Sequence, residues 1–384
     1  MRAYVLNDAA LVKQAGRFAW LSIDTEKAEN EAFVGKFPID TWPTFLVVDP
    51  SSERAVLKWL GSADVAQLER LFADGEVAMR TSGGKSAEEL LALADRANAE
   101  ENRLDAAKLY REALQKAPEQ WERRPRTIES LVMALQGARA NEDCAQVALK
   151  AVPSMPRDSY FANTAAVGLA CALQAPKDAT WRPAAISGLE PWVRSALDIP
   201  DLLADDRSGL YEVLVDSAES AGDKERAKKL AGAWLTFLEA EASRARTPEA
   251  RAAFDSHRVT AAMKLGDAAR AIPALQASER DLPADYNPPA RLALLYSQLG
   301  RKDEALSAAD RALAKAYGPR RIGIYQLKAK VYLNAGDHAA AQRTLLEALR
   351  YAQSLPKTPQ SERAIARLQK SIDGARQTAA AKPQ

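Results

Sequence analysis

Two histidines and two cysteines are all that this 384-residue chain holds of the side chains that most often ligate transition metals or act as nucleophiles near neutral pH. His257 and His338 stand 81 positions apart with no acidic motif beside either. That excludes most histidine metal sites and Ser-His-Asp triads; both read as exposed helix or turn residues. Cys144 and Cys171 are too few for a disulfide framework. Cys144, in Asn-Glu-Asp-Cys-Ala, reads as a turn residue before a helix, where the flanking acids disfavour a thiolate. Cys171, in Val-Gly-Leu-Ala-Cys-Ala-Leu, reads as a small core residue. No apolar run is long enough to cross a bilayer. Net charge is scarce as well: 53 basic and 51 acidic side chains leave +2, so there is no electrostatic case for nucleic acid or an anionic membrane. The densest basic run, Arg123-Arg124-Pro125-Arg126, reads as a solvated connection.

What remains is a chain with 47% hydrophobic and 27% charged residues, enough for an ordinary core. Its length fits two or three domains. The first fourteen residues show no apolar h-region and no cleavage site, so the chain as given reads as cytoplasmic.

In the first eighty residues, Asp8 is placed to cap a short helix, Ala9 to Gln14. Phe18 to Ile23 reads as a strand ending at Asp24, and Glu26 to Phe37 has helical character. Thr44 to Val48 and Ala55 to Leu60 read as strands around a Ser51-Ser52 turn. After Gly61, Ser62 is expected to cap an amphipathic helix with Val65, Leu68, Leu71 and Phe72 on its apolar side. This order, with Phe37-Pro-Ile-Asp-Thr-Trp-Pro43-Thr44-Phe45 ahead of the second strand, resembles the thioredoxin fold from partway through its first active-site helix to its end. The resemblance implies a redox-site proline at Pro43, flanked by Trp42 and Thr44, with a cis peptide bond before it. It also implies a C-x-x-C and a central strand that would lie upstream of Met1; a longer form of that kind would be periplasmic or secreted.

From Ser86 onward alanine and leucine rise and strand-like runs vanish. The connection Thr81-Ser-Gly-Gly-Lys85-Ser86 contains Gly-Lys-Ser, but Met79 stands where a phosphate-binding loop needs glycine, so a flexible boundary is the plain reading. Ala106, Tyr110, Ala113 and Pro118 follow a first helix carrying Leu90, Leu93, Ala94 and Ala97. Gly266, Gly300 and Gly336 each separate two helices and lie 34 and 36 residues apart, with Ala271, Ala305 and Ala341 at a common offset. Tyr296 and Tyr332 hold matching places in the first helices. These positions resemble tetratricopeptide repeats, whose period is 34. Gly222 starts a weaker copy, followed by a longer helix around Trp234 to Arg246, and residues 155–210 with their prolines read as irregular helices. Pro273 is expected to kink or delay its helix.

The fold class expected is mainly α: a partial thioredoxin-like α/β domain (1–78), a linker (79–86), tetratricopeptide-like helical repeats (87–356), a capping helix (357–378) and a disordered tail (379–384). The resemblance to such solenoids implies protein or peptide clients held in a concave groove, with Asn98, Tyr296, Tyr332 and Asn334 near it. No catalytic residue, metal ligand or cofactor is read from the sequence. The other function in view is a thiol–disulfide oxidoreductase whose C-x-x-C lies upstream.

Overall fold

The computed structural model describes residues 5–39, 41–81, 83–357 and 359–380, with the side chains of 359, 360 and 375–380 left aside. In chain order the elements are α1 (Glu31–Lys36), β1 (Thr44–Asp49), β2 (Arg54–Leu60), α2 (Val65–Arg80), α3 (Ala87–Ala99), α4 (Arg103–Lys116), α5 (Arg124–Gly137), α6 (Asn141–Ala151), α7 (Ser159–Gln174), α8 (Arg182–Ala196), α9 (Ala204–Ser220) and α10 (Lys224–Arg244). They continue with α11 (Pro248–Ala252), α12 (Asp255–Leu265), α13 (Ile272–Asp281), α14 (Asn287–Gln298), α15 (Lys302–Lys315), α16 (Arg320–Asn334), α17 (His338–Ser354) and α18 (Pro359–Ala380). The chain is mainly α and divides into two compact units. Met1–Phe18 with Asp40–Leu238 form one, and Ala19–Ile39 with Glu239–Gln384 form the other.

In the first unit β1 and β2 are an antiparallel hairpin, Thr44 opposite Leu60 and Asp49 opposite Arg54, with an irregularity at Val47/Val48. Ala55, Val56, Leu57 and Trp59 are buried. The Trp42–Pro43 peptide bond is cis. The helix after the hairpin is capped two residues later than the sequence implied. Asp64, not Ser62, accepts from the Gln67 amide at 2.7 Å, and the Asp64 amide donates to Gln67 Oε1 at 2.9 Å. Ser62 is diverted because its hydroxyl donates to Asp205.

Next come the antiparallel pairs α3/α4, α5/α6 and α7/α8, followed by α9 packed on α7 and α8. Ser86 and Glu89 form a capping box that starts α3. Ala106, Tyr110 and Ala113 are buried where α4 meets α3. Residues 155–210, expected to be irregular, contain the regular helices α7 and α8. Pro183 sits in the first turn of α8, where its missing N–H costs nothing, and only Pro191 is internal.

The basic run is not a solvated connection. Arg126 is 4% exposed and its Nη2 lies 2.9 Å from Asp95 Oδ2. Arg123 Nε donates to Asp74 Oδ1 at 2.7 Å, and the Tyr110 hydroxyl donates to Asp95 Oδ1 at 2.8 Å. Thus α2, α3, α4 and α5 share one buried polar cluster. The two cysteines are also closer than the sequence implied. Cys144 lies inside α6 rather than in a turn, Cys171 lies in α7, both are fully buried, and they form a disulfide with Cα atoms 6.2 Å apart.

In the second unit the pairs are α14/α15 and α16/α17, preceded by α12 and α13. Ala305, Ala309 and Ala312 in α15, and Ala341, Leu345 and Ala348 in α17, are buried at the offsets the sequence repeats. Gly266 (φ +81°), Gly300 (φ +71°) and Gly336 (φ +77°) terminate helices in the left-handed region. In each case the next amide reaches back a full turn, as Arg301 N does to Tyr296 O at 2.9 Å. Pro273 delays its helix: a 3-10 turn, Ala268–Ala271, precedes α13 and puts the proline in its first turn. α18 lays Leu368 and Ile372 onto α17, covering the last apolar surface. It continues through Ala380, so the expected disordered tail is helical at 379–380; the rest of it lies outside the described residues.

Residues 18–23 form no strand. Among the described residues β1 pairs with β2 alone, and this segment makes only an isolated bridge, Phe18 to Ala15. Its acidic end is held by side chains of the second unit instead. The Tyr317 hydroxyl donates to Asp24 Oδ2 at 2.6 Å, the Tyr286 hydroxyl to Glu26 Oε2 at 2.8 Å, and Arg320 Nε to Glu26 Oε1 at 2.5 Å. Gly318 permits this approach, because a Cβ there would meet the Glu26 carbonyl oxygen at 2.2 Å. The expected helix Glu26 to Phe37 is reduced to a 3-10 turn, Ala28–Asn30, and α1.

Candidate functional site

Helices α5, α7 and α9 are the first members of successive pairs, and they pack directly on one another in a row. Their partners α6 and α8 touch less. The more closely spaced row is the inner one, so α5, α7 and α9 present the concave face of this unit.

On α7 the residues Asn163, Ala166, Val167 and Ala170 recur at helical spacing and share a face. On α9, Asp205, Gly209, Glu212, Val213 and Asp216 do the same. Together with Asp206, Met133 of α5 and the strand end Leu60-Gly61-Ser62, they enclose a cavity of about 320 Å³. Its walls combine an apolar floor with four carboxylates and no lysine or arginine. Asp205 Oδ2 accepts from the Ser62 hydroxyl at 3.0 Å. Behind Asn163 lies Glu129, fully buried, whose Oε1 accepts from Asn163 Nδ2 at 2.8 Å. Glu129 Oε2 and Asp206 Oδ2 are buried and have no hydrogen-bond partner.

Burial pushes Asp206 up to about 7, with Asp205 and Asp64 adding repulsion. Burial likewise holds Glu129 well above the usual carboxylate range; the Asn163 hydrogen bond opposes this, and the Asp206 charge adds to it. The cavity therefore places acidic side chains and no basic one above an apolar floor.

A larger cavity, about 460 Å³, lies between α8 and the α9–α10 turn and is lined by Arg182, Glu190, Ser217 and Arg226 among others. Its acid is already satisfied. Although burial pushes Glu190 up, hydrogen bonds from Ser217, Arg226 and Arg194 hold it below its ordinary value. The α5–α7–α9 cavity differs in that Asp206 Oδ2, in its wall, has no hydrogen-bond partner. Among the described residues no three or more His, Cys, Asp and Glu side chains are grouped to hold a metal ion.

The residues singled out in the sequence fall in several places. Pro43 accepts a bond from Gly61 N at 2.9 Å through its carbonyl, one step from the cavity wall. Trp42 is exposed, and the Thr44 hydroxyl donates to Thr41 O. Asn98 is half-buried in α3 of the first unit. Tyr296, Tyr332 and Asn334 belong to the second. Tyr296 is buried, its hydroxyl accepts from Gln276 Nε2 at 3.1 Å, and Arg301 stacks on its ring. Tyr332 is half-buried with Lys302 over its ring, and Asn334 is exposed at the end of α16. Asp205, Asp206, Glu129 and Asn163 were not singled out. The available signal was Gly209, an isolated glycine inside an otherwise helical pattern.

No protein-family profile matches the chain, and no curated protein does. Several solved structures are similar. A tetratricopeptide repeat protein from Parabacteroides merdae is 11% identical, with a TM-score of 0.46, over 74% of this chain and 100% of that one. A thermophilic TPR protein from Thermus thermophilus is 17% identical, with a TM-score of 0.27, over 76% and 98%. The TPR2AB domain of yeast Sti1 in its pHSP90 complex is 14% identical, with a TM-score of 0.29, over 76% and 99%. No helix among the described residues is long and apolar enough to cross a membrane.

Proposed function

We propose that this chain is a protein-interaction module of tetratricopeptide type, and that the concave face of its helix pairs holds a segment of a partner protein. The observation that carries this reading is the cavity between α5, α7 and α9, a concave site with a few convergent polar groups on an apolar floor. The recurrence of small buried residues and left-handed turn glycines supports the repeat type. Asn98 would extend that surface within the first unit, while Tyr332 and Asn334, braced by Tyr296, would belong to a groove of the second unit's own helix pairs. The test is hydrogen exchange of the full chain with and without peptides selected from a random displayed library. Protection concentrated on α5, α7 and α9 is expected; protection elsewhere would sink the reading.

A second reading is carried by the β1–β2 hairpin with α2 packed against it. In it residues 1–78 are a thioredoxin-like element, with Trp42, Pro43 and Thr44 at the redox-site position and a C-x-x-C outside this chain. Thiol-dependent insulin reduction by a form carrying such a motif, and none by this chain, is the expected pattern.

A further inference from the structure

We propose that the α5–α7–α9 pocket receives the side chain of a lysine or arginine from an extended segment of the partner protein. This rests on the concave-groove reading above and names the chemistry of its ligand.

Three observations converge. The pocket wall carries acids and no base. Two carboxylates, Asp206 and Glu129, each keep one buried oxygen without a hydrogen-bond partner, Asp206 in the wall itself and Glu129 behind Asn163. The floor between them, which includes Met133 and Ala170, is apolar. A lysine or arginine matches that layout, since its stem lies against apolar surface while its head needs acceptors. A dehydrated metal ion does not, because the apolar floor offers it nothing and no cluster of three ligands is present among the described residues. An acidic or purely apolar segment would leave the buried carboxylates as they are, which is the more costly state.

Gly209 supplies a clean block. It lines the pocket in mid-helix, and a Cβ built on it meets nothing within 4 Å. Gly209→Leu therefore fills the pocket while improving the helix.

The experiment is a selection of displayed random peptides against the full chain, followed by anisotropy of fluorescein-labelled winners with wild type, Gly209→Leu and Asp206→Asn. Far-ultraviolet circular dichroism checks that each variant is folded. The expected result is a fixed Lys or Arg among the winners, at least tenfold weaker binding to Asp206→Asn, and loss of binding to Gly209→Leu. Replacing that basic residue with alanine should have the same effect as Asp206→Asn, and the two changes together should add little. Winners that are lost on Gly209→Leu but carry no basic residue, or ignore Asp206→Asn, overturn this proposal and leave the groove reading standing. Winners that ignore Gly209→Leu overturn both.

Discussion

The guanidinium of Arg126 sits 2.9 Å from the carboxylate of Asp95 and 3.6 Å from that of Asp74, all three side chains at most 5% exposed. One cation thus answers two buried acids from different helices. Removing it leaves Asp95 with no cation beside it, although Asp74 keeps Arg123, and breaking a buried pair costs about 3–5 kcal/mol. Arg126→Leu should lower stability by that amount in urea unfolding. Arg111→Ala, which removes an exposed pair with Asp143, should cost less than about 1 kcal/mol. Equal effects from the two would refute the buried cluster.

The Cys144–Cys171 bridge closes a loop with a sequence separation of 27. A crosslink of that span stabilises by about 3–4 kcal/mol. Cys144→Ala with Cys171→Ala should lower the urea midpoint accordingly. Denatured, unreduced protein should titrate no free thiol; two thiols per chain would show that the bond does not form.

Asp206 gives a pH dependence of unusual sign. Its folded pKa, about 7, lies above the ordinary 3.8, so the folded state binds the proton more tightly. The stability it contributes is complete below about pH 4 and is lost as pH rises toward and through 7. Asp205 on its own helix and Asp64 just before α2 reinforce the shift, and Asp206 in turn raises Glu129 on α5. Asp206→Asn should therefore be more stable than wild type at pH 8, on the order of 2 kcal/mol, and indistinguishable from it at pH 4. A stability difference independent of pH would contradict the burial of this carboxylate.

Arg139 follows α5 with φ +58°, and the next amide, of Ala140, bonds back to Leu135 O at 2.9 Å. This is the turn that glycine makes at 266, 300 and 336. Arg139→Gly should stabilise, and Gly300→Ala destabilise, each by about 1 kcal/mol in thermal unfolding.

That turn also explains what the sequence disclosed. The C-terminal pairs were legible because glycine marks each left-handed turn and small residues mark each close approach. The pairs α3/α4 and α5/α6 use Glu101 and Arg139 at the same turns, so the glycine period is absent there although the geometry is the same. Arg126 was misjudged because a run of arginines is ordinarily solvated, and its partners Asp74 and Asp95 are distant in the chain. The cysteine pairing was invisible for a similar reason: nothing local says that α6 and α7 face each other at those two positions. Residues 18–23 have the composition of a strand, but no neighbouring strand satisfies them. The acids of the candidate site looked like ordinary helix-start residues, and only their burial sets them apart.

In a stack where each helix pair touches only its neighbours, opening can start anywhere and spread by one pair at a time. The covalent bond between α6 and α7 interrupts that spread, because it joins the second member of one pair to the first member of the next. The ends of the first unit can then fray while α6 and α7 stay joined. α7, one wall of the pocket, is thereby tied to α6, and loosening of the pairs on either side does not by itself release it.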